Sequence, residues 1–117
     1  MAHSVEDLAA LLAGATHAVV LTGAGISTES GIPDFRSPGG TWETFDPMEV
    51  ASLDVFIREP ARFWKFHRPR FDMVAGVAPN GAHEAVAELQ RRGIVKALIT
   101  QNIDGLHRRA GSDDVIE

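Results

Sequence analysis

Two short apolar segments constrain the fold more than any other feature of this sequence. Residues 18–21 and 94–100 are rich in β-branched side chains, and each run ends abruptly at polar or glycine residues. Runs of this kind are typical of strands that are buried on both faces of a parallel sheet. They lie much too far apart in the chain for a hairpin, so a crossover must connect them. The sequence therefore predicts an α/β fold with a parallel sheet, to which Val115 and Ile116 begin a third strand.

Helices are predicted around these strands from their capping residues. Ser4 and Asp7 resemble a capping box, and Asn80 is a good N-cap residue. Glycines at positions 14, 93 and 111 mark the expected ends. The predicted helices cover residues 5–13, 80–92 and 104–109.

The middle of the chain is predicted to form a long loop that is followed by short helices. Residues 30–47 are rich in Gly, Pro, Ser and Asp and predict a long loop, which in a small protein is usually functional. Residues 47–59 favour one or two short helical turns. Pro60 is suited to the first turn of a helix, which Pro69 is expected to kink or end.

Composition excludes several classes of function. The 117 residues suffice for one small domain, and the formal net charge of −5 provides no basic field for nucleic acid or an anionic membrane. There is no cysteine, so the chain has no thiolate metal ligand. The N-terminus lacks the pattern of a signal peptide, and we expect a cytoplasmic protein.

The first candidate site is the turn that follows the first strand. Gly23, Ala24 and Gly25 leave the strand, and Ser27 and Thr28 follow them. Glycines allow the backbone to approach an anion, and the amides of a helix start can bind phosphate. Thr28 stands where the dinucleotide fingerprint has its third small residue, so a plain tight turn remains the alternative.

Two further candidate sites are loops with chemically suited side chains. Asp34, Phe35 and Arg36 place an aromatic ring beside a guanidinium, which suits a flat heterocycle and a pyrophosphate. The alternative is an Arg36–Asp34 ion pair with Phe35 as a loop anchor. The second loop follows the strand that ends at Thr100, where open parallel sheets bind ligands. This loop consists of Gln101, Asn102, Ile103 and Asp104, and its polar groups suit a ribose or an amide. The alternative is a turn that caps the next helix.

Taken together, these motifs resemble the sirtuin family of NAD-dependent protein-lysine deacylases. The resemblance covers nearly the whole chain. It rests on the glycine turn, the Gly-Ile-Pro-Asp-Phe-Arg loop, the Pro79-Asn80…His83 helix start, and the segment from Thr100 to His107, continued by Ala110-Gly111 and Val115-Ile116-Glu117.

The resemblance implies a partial Rossmann-like, doubly wound parallel sheet, with residues 1–117 as the NAD-binding part of a catalytic domain. Residues 30–78 would form the cofactor-binding loop and a small helical insertion. Gly23, Ala24, Gly25, Ser27 and Thr28 would line the site of the NAD phosphates and ribose. Asp34, Phe35 and Arg36 would belong to a loop that orders over NAD.

The segment at residues 101–104 would serve the reacting end of NAD by the same resemblance. Gln101 and Asn102 would bind the nicotinamide ribose, and Asn102 would also hold a water molecule. Ile103 and Asp104 would form the nicotinamide pocket, with Asp104 holding the carboxamide. Asn102 and Asp104 are thus the expected catalytic residues, while His83 and His107 are interpreted as structural.

The implied reaction transfers an acetyl group from a protein lysine to ADP-ribose and releases nicotinamide. The family's general-base histidine and its zinc cysteines would follow Glu117, so zinc is expected in a longer parent protein and no metal ligand in this chain. The chain alone is expected to be inactive and prone to self-association. Two alternatives remain, namely mono-ADP-ribosylation on the same fold and a short protein that binds NAD or ADP-ribose without turnover.

Overall fold

The computed structural model describes residues 3–117. The described residues form α-helices and three strands, and one 3₁₀ helix follows the first strand. In chain order the elements are α1 (Val5–Gly14), β1 (Ala18–Thr22), the 3₁₀ helix (Ala24–Ser30), α2 (Thr41–Thr44), α3 (Pro47–Val50), α4 (Leu53–Arg58), α5 (Pro60–Ala75), α6 (Gly81–Arg91), β2 (Val95–Thr100), α7 (Leu106–Arg109) and β3 (Val115–Ile116).

The three strands form one parallel sheet in the order β1-β2-β3. Leu21 is paired with Ile99, and Ile99 with Ile116, so the three strands are aligned near their carboxyl ends. This topology confirms the predicted α/β fold and the predicted third strand. It also brings the segments that follow β1 and β2 to the same edge of the sheet.

One face of the sheet forms the core. Leu98 is fully buried, and Val95 and Val115 are nearly so. Helix α6 packs against β2 and against α7, and it contributes the buried His83. Leu106 of α7 is also fully buried. A small apolar core is therefore combined with buried polar side chains beneath the carboxyl ends of the strands.

The opposite face of the sheet is exposed, which corrects the prediction of strands buried on both faces. Leu21, Ile99 and Ile116 form a row across the three strands, with exposed fractions of 66%, 36% and 55%. Successive side chains of a strand point to opposite faces. Because the core is on the side of Leu98, the alternate residues face solvent. Because all residues of such a run are apolar, the sequence could not show which of them lie on the buried face of the sheet.

The chain divides into two compact units. One unit comprises the chain up to Gly23 together with Pro79–Glu117, and it contains the sheet. The other is Ala24–Ala78, which contains the 3₁₀ helix and helices α2 to α5. The assignment of residues 30–78 to a cofactor loop and a helical insertion stays a prediction.

Helix α5 organises the second unit around its aromatic side chains. Phe66 is buried, with its ring 6.1 Å from that of Trp42 and 5.0 Å from that of Phe45. The guanidinium of Arg70 lies 3.6 Å from the centre of the Phe66 ring, which is a cation–π contact. These contacts hold the helix at the turn that contains Pro69.

Two sequence predictions for this unit need correction. Helix α5 continues through Pro69 to Ala75, so it does not end there, while the other predicted effect, a kink at Pro69, stays a prediction. The predicted loop over residues 30–47 contains the short helix α2. Its four residues are too few to produce a recognisable hydrophobic period.

The capping predictions for the first unit are confirmed. The side chain of Ser4 accepts a hydrogen bond from the amide of Asp7 at the start of α1. The side chain of Asn80 accepts one from the amide of Ala82 at 2.9 Å, and Nδ1 of His83 accepts one from the amide of Asn80 at 3.1 Å. Helix α7 begins at Leu106 instead of residue 104. None of the helices in residues 3–117 is long and apolar enough to cross a membrane.

Candidate functional site

The segments that follow β1 and β2 are joined by hydrogen bonds at the edge of the sheet. The amide of Gln101 donates to the carbonyl of Thr22 at 3.0 Å, which extends the strand pairing by one residue. Nδ2 of Asn102 donates to the carbonyl of Gly23 at 2.9 Å. The predicted glycine turn and the predicted polar loop therefore meet at Gly23, where the sheet ends.

Gly23 lies close to the side chain of Gln101, which would have to shift slightly for a larger residue. A Cβ atom at this position would lie 3.1 Å from Oε1 of Gln101, tighter than most real contacts. Gly25 differs, because a Cβ atom there would meet no protein atom within 4 Å and its φ angle is not positive. Within the chain, packing does not require a glycine at position 25. A bare backbone facing open space is what a phosphate needs to come close.

The backbone amide of Asn102 is bound by a network that contains two threonine hydroxyls. This amide donates to Oγ1 of Thr100 at 3.1 Å, and the hydroxyl of Thr22 donates to the same oxygen at 2.9 Å. Nε2 of His107 lies 2.8 Å from Oγ1 of Thr22. Which of these two atoms donates depends on the tautomer of His107. The imidazole thus supports the Asn102 turn through two threonines.

Two buried histidines meet edge to face next to the network. The rings of His83 and His107 are 5.0 Å apart, and both side chains are almost completely buried. Burial lowers the pKa of His83, with Asp104 opposing this effect. Burial also lowers the pKa of His107, helped by His83 and opposed by Asp104. Both rings are therefore neutral near pH 7, as expected of structural histidines.

Asp104 and Ile103 form the turn between β2 and α7. Oδ1 of Asp104 accepts a hydrogen bond from the amide of Leu106 at 3.0 Å, and Gly105 has a φ angle of 68°. This hydrogen bond agrees with the alternative interpretation, in which Asp104 is a turn residue that caps the next helix. Ile103 is 78% exposed, although it is a large apolar side chain next to two polar ones. Such exposure costs free energy in water unless a ligand or another segment covers the side chain.

A shallow depression lies beside this turn, with no enclosed space even for a water molecule. Asn102 and Asp104 line it, together with Arg108 and Glu117. These residues therefore share one patch of surface but do not enclose a pocket.

The remaining predicted site residues lie in the second unit. Ala24, Gly25, Ser27 and Thr28 belong to the 3₁₀ helix instead of an α-helix. The hydroxyl of Thr28 donates to the carbonyl of Gly25 at 2.9 Å, and Ser27 is buried. The structure thus shows a tight, ordered helical segment directly after Gly23.

The loop after this helix is folded on itself. The side chain of Asp34 bonds to Ser37, and the ring of Phe35 lies 5.0 Å from that of Trp42. Among the ion pairs of residues 3–117, none joins Arg36 to Asp34, so that part of the alternative interpretation is wrong. The ring contact with Trp42 agrees with its other part, in which Phe35 anchors the loop. Arg36 is exposed, and Phe35 is 44% exposed.

Sequence reasoning missed several residues that support the site. The roles of Thr22 and Thr100 were not expected, since a threonine that ends an apolar run looks like any other strand residue. Ser37 and Gly40 were also missed. An Asp followed three residues later by Ser is a weak signal of a side-chain-stabilised turn, and it could have suggested the contact between Asp34 and Ser37. Within residues 3–117 no group of three His, Cys, Asp or Glu side chains is arranged to hold a metal ion.

Comparisons with known proteins identify the family. The Sir2 family profile matches residues 23–117. The NAD-dependent protein deacylase 2 of Archaeoglobus fulgidus is 55% identical over 117 residues, covering 100% of this chain and 46% of that protein. A solved Sir2 homologue variant in complex with ADP-ribose is 46% identical with a TM-score of 0.92, covering 97% of this chain and 46% of that one.

A second solved structure adds products to the comparison. It contains a Sir2 protein with a deacetylated p53 peptide and 3′-O-acetyl-ADP-ribose, and it is 42% identical with a TM-score of 0.92. It covers 98% of this chain and 46% of that one. The chain thus spans about half the length of the relatives that it matches. At these identities and over this range, the chain belongs to the Sir2 family, the sirtuins.

Proposed function

We propose that the protein carrying this chain is an NAD-dependent protein-lysine deacetylase, and that this chain supplies the part of its site that binds the phosphates, the nicotinamide ribose and the nicotinamide. The observation that supports this most is the meeting of Asn102 with Gly23 at the carboxyl edge of a parallel sheet. Open α/β sheets bind nucleotides at this edge. Relatives named as NAD-dependent deacylases support the choice of reaction.

In this proposal the turn after β1 binds the phosphates and ribose of NAD. The open space beside Gly25 admits an anion to the backbone. Ser27 and Thr28 continue the same segment, and Ala24 begins it. Arg36 supplies positive charge for the pyrophosphate, and Phe35 offers an exposed ring to cover the nicotinamide side.

The turn after β2 binds the nicotinamide end of NAD, where the reaction takes place. Gln101 and Asn102 bind the nicotinamide ribose, and Asn102 orders a water molecule. Ile103, whose apolar side chain is exposed, and Asp104 form the nicotinamide pocket. NAD supplies an anomeric carbon that accepts the acetyl oxygen as nicotinamide leaves. The residues of this chain hold the ribose, exclude water and orient the carboxamide.

Neither His83 nor His107 is the general base in the proposal. Nε2 of His107 is bonded to Thr22, and both His107 and His83 are buried beneath the turn. A base must reach the proton that it removes. In this proposal the general base and the zinc ligands lie in the rest of the parent protein, and acetylated protein lysines are the substrates. The cytoplasmic location remains a prediction from the sequence.

The test is an assay of the full-length gene product with an acetyl-lysine peptide. We expect deacetylation only when NAD is present, with one nicotinamide and one O-acetyl-ADP-ribose formed per lysine. Asn102→Ala should lower kcat/KM at least about a hundredfold if it orients ribose and water, while Glu84→Gln on the exposed face of α6 should not change it.

The same assay distinguishes the alternatives by their products. A peptide that gains the mass of ADP-ribose and keeps its acetyl group would instead indicate mono-ADP-ribosylation. Saturable NAD binding without nicotinamide release would indicate a binding protein. Either result would reject the deacetylase proposal.

A further inference from the structure

Helix α6 begins with a capping box in which an imidazole takes the place that a carboxylate or carboxamide usually has. The side chain of Asn80 accepts a hydrogen bond from the amide of Ala82 at 2.9 Å, and Nδ1 of His83 accepts one from the amide of Asn80 at 3.1 Å. In most capping boxes Glu or Gln makes the second of these bonds. The start of α6 therefore depends on a side chain that titrates near neutral pH.

The bond from the Asn80 amide determines where the imidazole carries its proton. A backbone amide can only donate, so Nδ1 of His83 has a free lone pair and the neutral ring carries its hydrogen on Nε2. A proton taken up from solvent would bind to Nδ1 and end the bond from the Asn80 amide. The charged imidazole and this bond therefore exclude each other.

The first turn of α6 is anchored in the core by His83. Gly81 and Ala82 come before it in the helix, and both are exposed. The side chain of His83 is completely buried. We call the helix start closed when the bond between Asn80 and His83 is present and open when it is broken.

The imidazole of His83 faces His107 of α7 and Asp104 in the turn before α7. The two rings are 5.0 Å apart, and the Asp104 carboxylate acts on His83 by its charge. Burial lowers the pKa of His83 from its ordinary value of 6.5, and Asp104 opposes this shift. The other charged side chains of α6, β2 and α7 are exposed or, for Glu88, paired with arginine: Glu84, Glu88, Arg91, Lys96, Arg108 and Arg109. The closed helix start therefore keeps the ring neutral, whereas an open one would take up a proton near pH 6.5.

Side-chain contacts connect this imidazole to the candidate site. The ring of His107 packs on that of His83, and its Nε2 lies 2.8 Å from Oγ1 of Thr22. Thr22 is bonded to Thr100, whose hydroxyl accepts from the amide of Asn102 at 3.1 Å. Opening of the helix start would remove the ring on which His107 packs. The start of α6 and the Asn102 turn are therefore expected to be ordered together.

We propose that His83 is an acid-sensitive positioning residue: uptake of a proton at Nδ1 releases the Asn80 amide, opens the start of α6 and removes support from the turn that binds NAD. The part that concerns NAD rests on the proposed function, whereas the opening requires no ligand. Because the pKa of His83 is lower in the closed state, that state is fully favoured above about pH 6.5 and less favoured as the pH falls below this value.

Hydrogen exchange of the Asn80 amide in the full-length protein tests the opening. Its protection factor, which is the intrinsic exchange rate divided by the measured rate, would be determined by NMR at pH 7.5 and 5.5. We expect protection about tenfold weaker at pH 5.5, because the open state gains about a factor of ten for each pH unit below the ordinary pKa of histidine. The amide of Ser4 is the internal control, since it donates to Oδ2 of Asp7 in a capping box without histidine, and its protection should not change.

Substitutions at position 83 separate the effect of the proton from that of the bond. His83→Gln keeps an acceptor that completes a capping box and cannot be protonated in this range, so protection of the Asn80 amide should be equal at both pH values. His83→Ala removes the acceptor and should weaken protection about tenfold already at pH 7.5. His17→Gln, at an exposed histidine before β1, is the matched control and should show the pH dependence of the parent.

The parent protein alone decides whether the cap is sensitive to acid, even if a variant fails to fold. Equal protection of the Asn80 amide at pH 7.5 and 5.5 in the parent would overturn the proposal. An undiminished pH dependence in folded His83→Gln would also overturn it, because another group would then be responsible for the opening.

NAD provides the readout for the positioning role. A ligand that binds only the closed state suppresses opening according to its saturation. NAD at ten times its dissociation constant should therefore strengthen protection of the Asn80 amide about tenfold at pH 7.5 and leave that of the Ser4 amide unchanged. Saturable NAD binding with unchanged Asn80 protection would overturn the positioning role and leave the proposed function intact. A full-length parent that does not bind NAD would reject the proposed function and with it the part of this inference that concerns NAD.

Discussion

The hydroxyl of Thr22 shows how much of this site depends on single atoms. It links His107 to Thr100, whose own hydroxyl accepts from the amide of Asn102. The imidazole, the two hydroxyls and the amide form one chain of hydrogen bonds across two strands and a helix. Buried polar groups in such a chain stabilise a single geometry only when each has its partner.

Thr22→Val keeps the shape of the side chain and removes that hydroxyl. Nε2 of His107 and Oγ1 of Thr100 would both lose a partner in a buried setting, which costs about 1–3 kcal/mol for an unsatisfied group. We expect the free energy of unfolding to fall by this amount in urea titrations, and the KM for NAD to rise.

Thr22→Ser is the matched control for this substitution. It retains the hydroxyl and loses only a methyl group, so the KM for NAD should stay close to that of the parent. Equal values of KM and unfolding free energy for Thr22→Val and the parent would show that the network does not support the Asn102 turn.

Elements of the chain were predictable where a local signal coincided with tertiary packing. Asn80 and His83 satisfy the first amides of α6 from side chains only three residues apart, so the capping pattern is visible in the sequence. The strands were also recognisable from the sequence, because their apolar residues follow one another without interruption. Pro69 shows the limit, because a proline is expected to interrupt a helix and α5 nevertheless continues to Ala75.

Removal of the Asn80 cap should destabilise α6 and the turn that packs on it. Asn80→Ala eliminates the bond from the Ala82 amide, and N-cap losses of this type cost about 1 kcal/mol. Thermal unfolding followed by circular dichroism should show a lower midpoint for Asn80→Ala than for the parent. Asn80→Ser keeps a capping oxygen and should recover most of the loss, whereas an unchanged midpoint in Asn80→Ala would contradict the assigned cap.

At the scale of the whole molecule, the residues of the candidate site were easier to predict from the sequence than the residues that support them by hydrogen bonds. The residues 101–104 and Gly23 were recognisable as chemical motifs, and the structure joins them at one edge of the sheet. Their neighbours in space, Thr22 and His107, lie at the end of β1 and on α7. No spacing in the sequence indicates that contact. The exposed face of the sheet was likewise invisible, since an apolar run does not reveal which side will be covered.

The apolar row of Leu21, Ile99 and Ile116 should make the chain associate with itself. An exposed apolar row on a sheet is a surface that other copies can cover. Sedimentation velocity of the 117-residue chain should reveal species larger than the monomer that increase with concentration. Leu21→Lys should shift the distribution toward the monomer, and Met48→Lys, at an exposed apolar residue outside the row, should not. A monodisperse monomer with a cooperative thermal transition would contradict this prediction.

The central claim is that this chain carries an NAD site at the end of its sheet, and isothermal titration of the chain with NAD tests it most directly. We expect saturable binding of one NAD per chain with a dissociation constant below about 1 mM. Asn102→Ala should weaken it at least about tenfold, and Glu84→Gln should leave it unchanged. The absence of saturable binding, or equal affinity in Asn102→Ala and the parent, would contradict the claim.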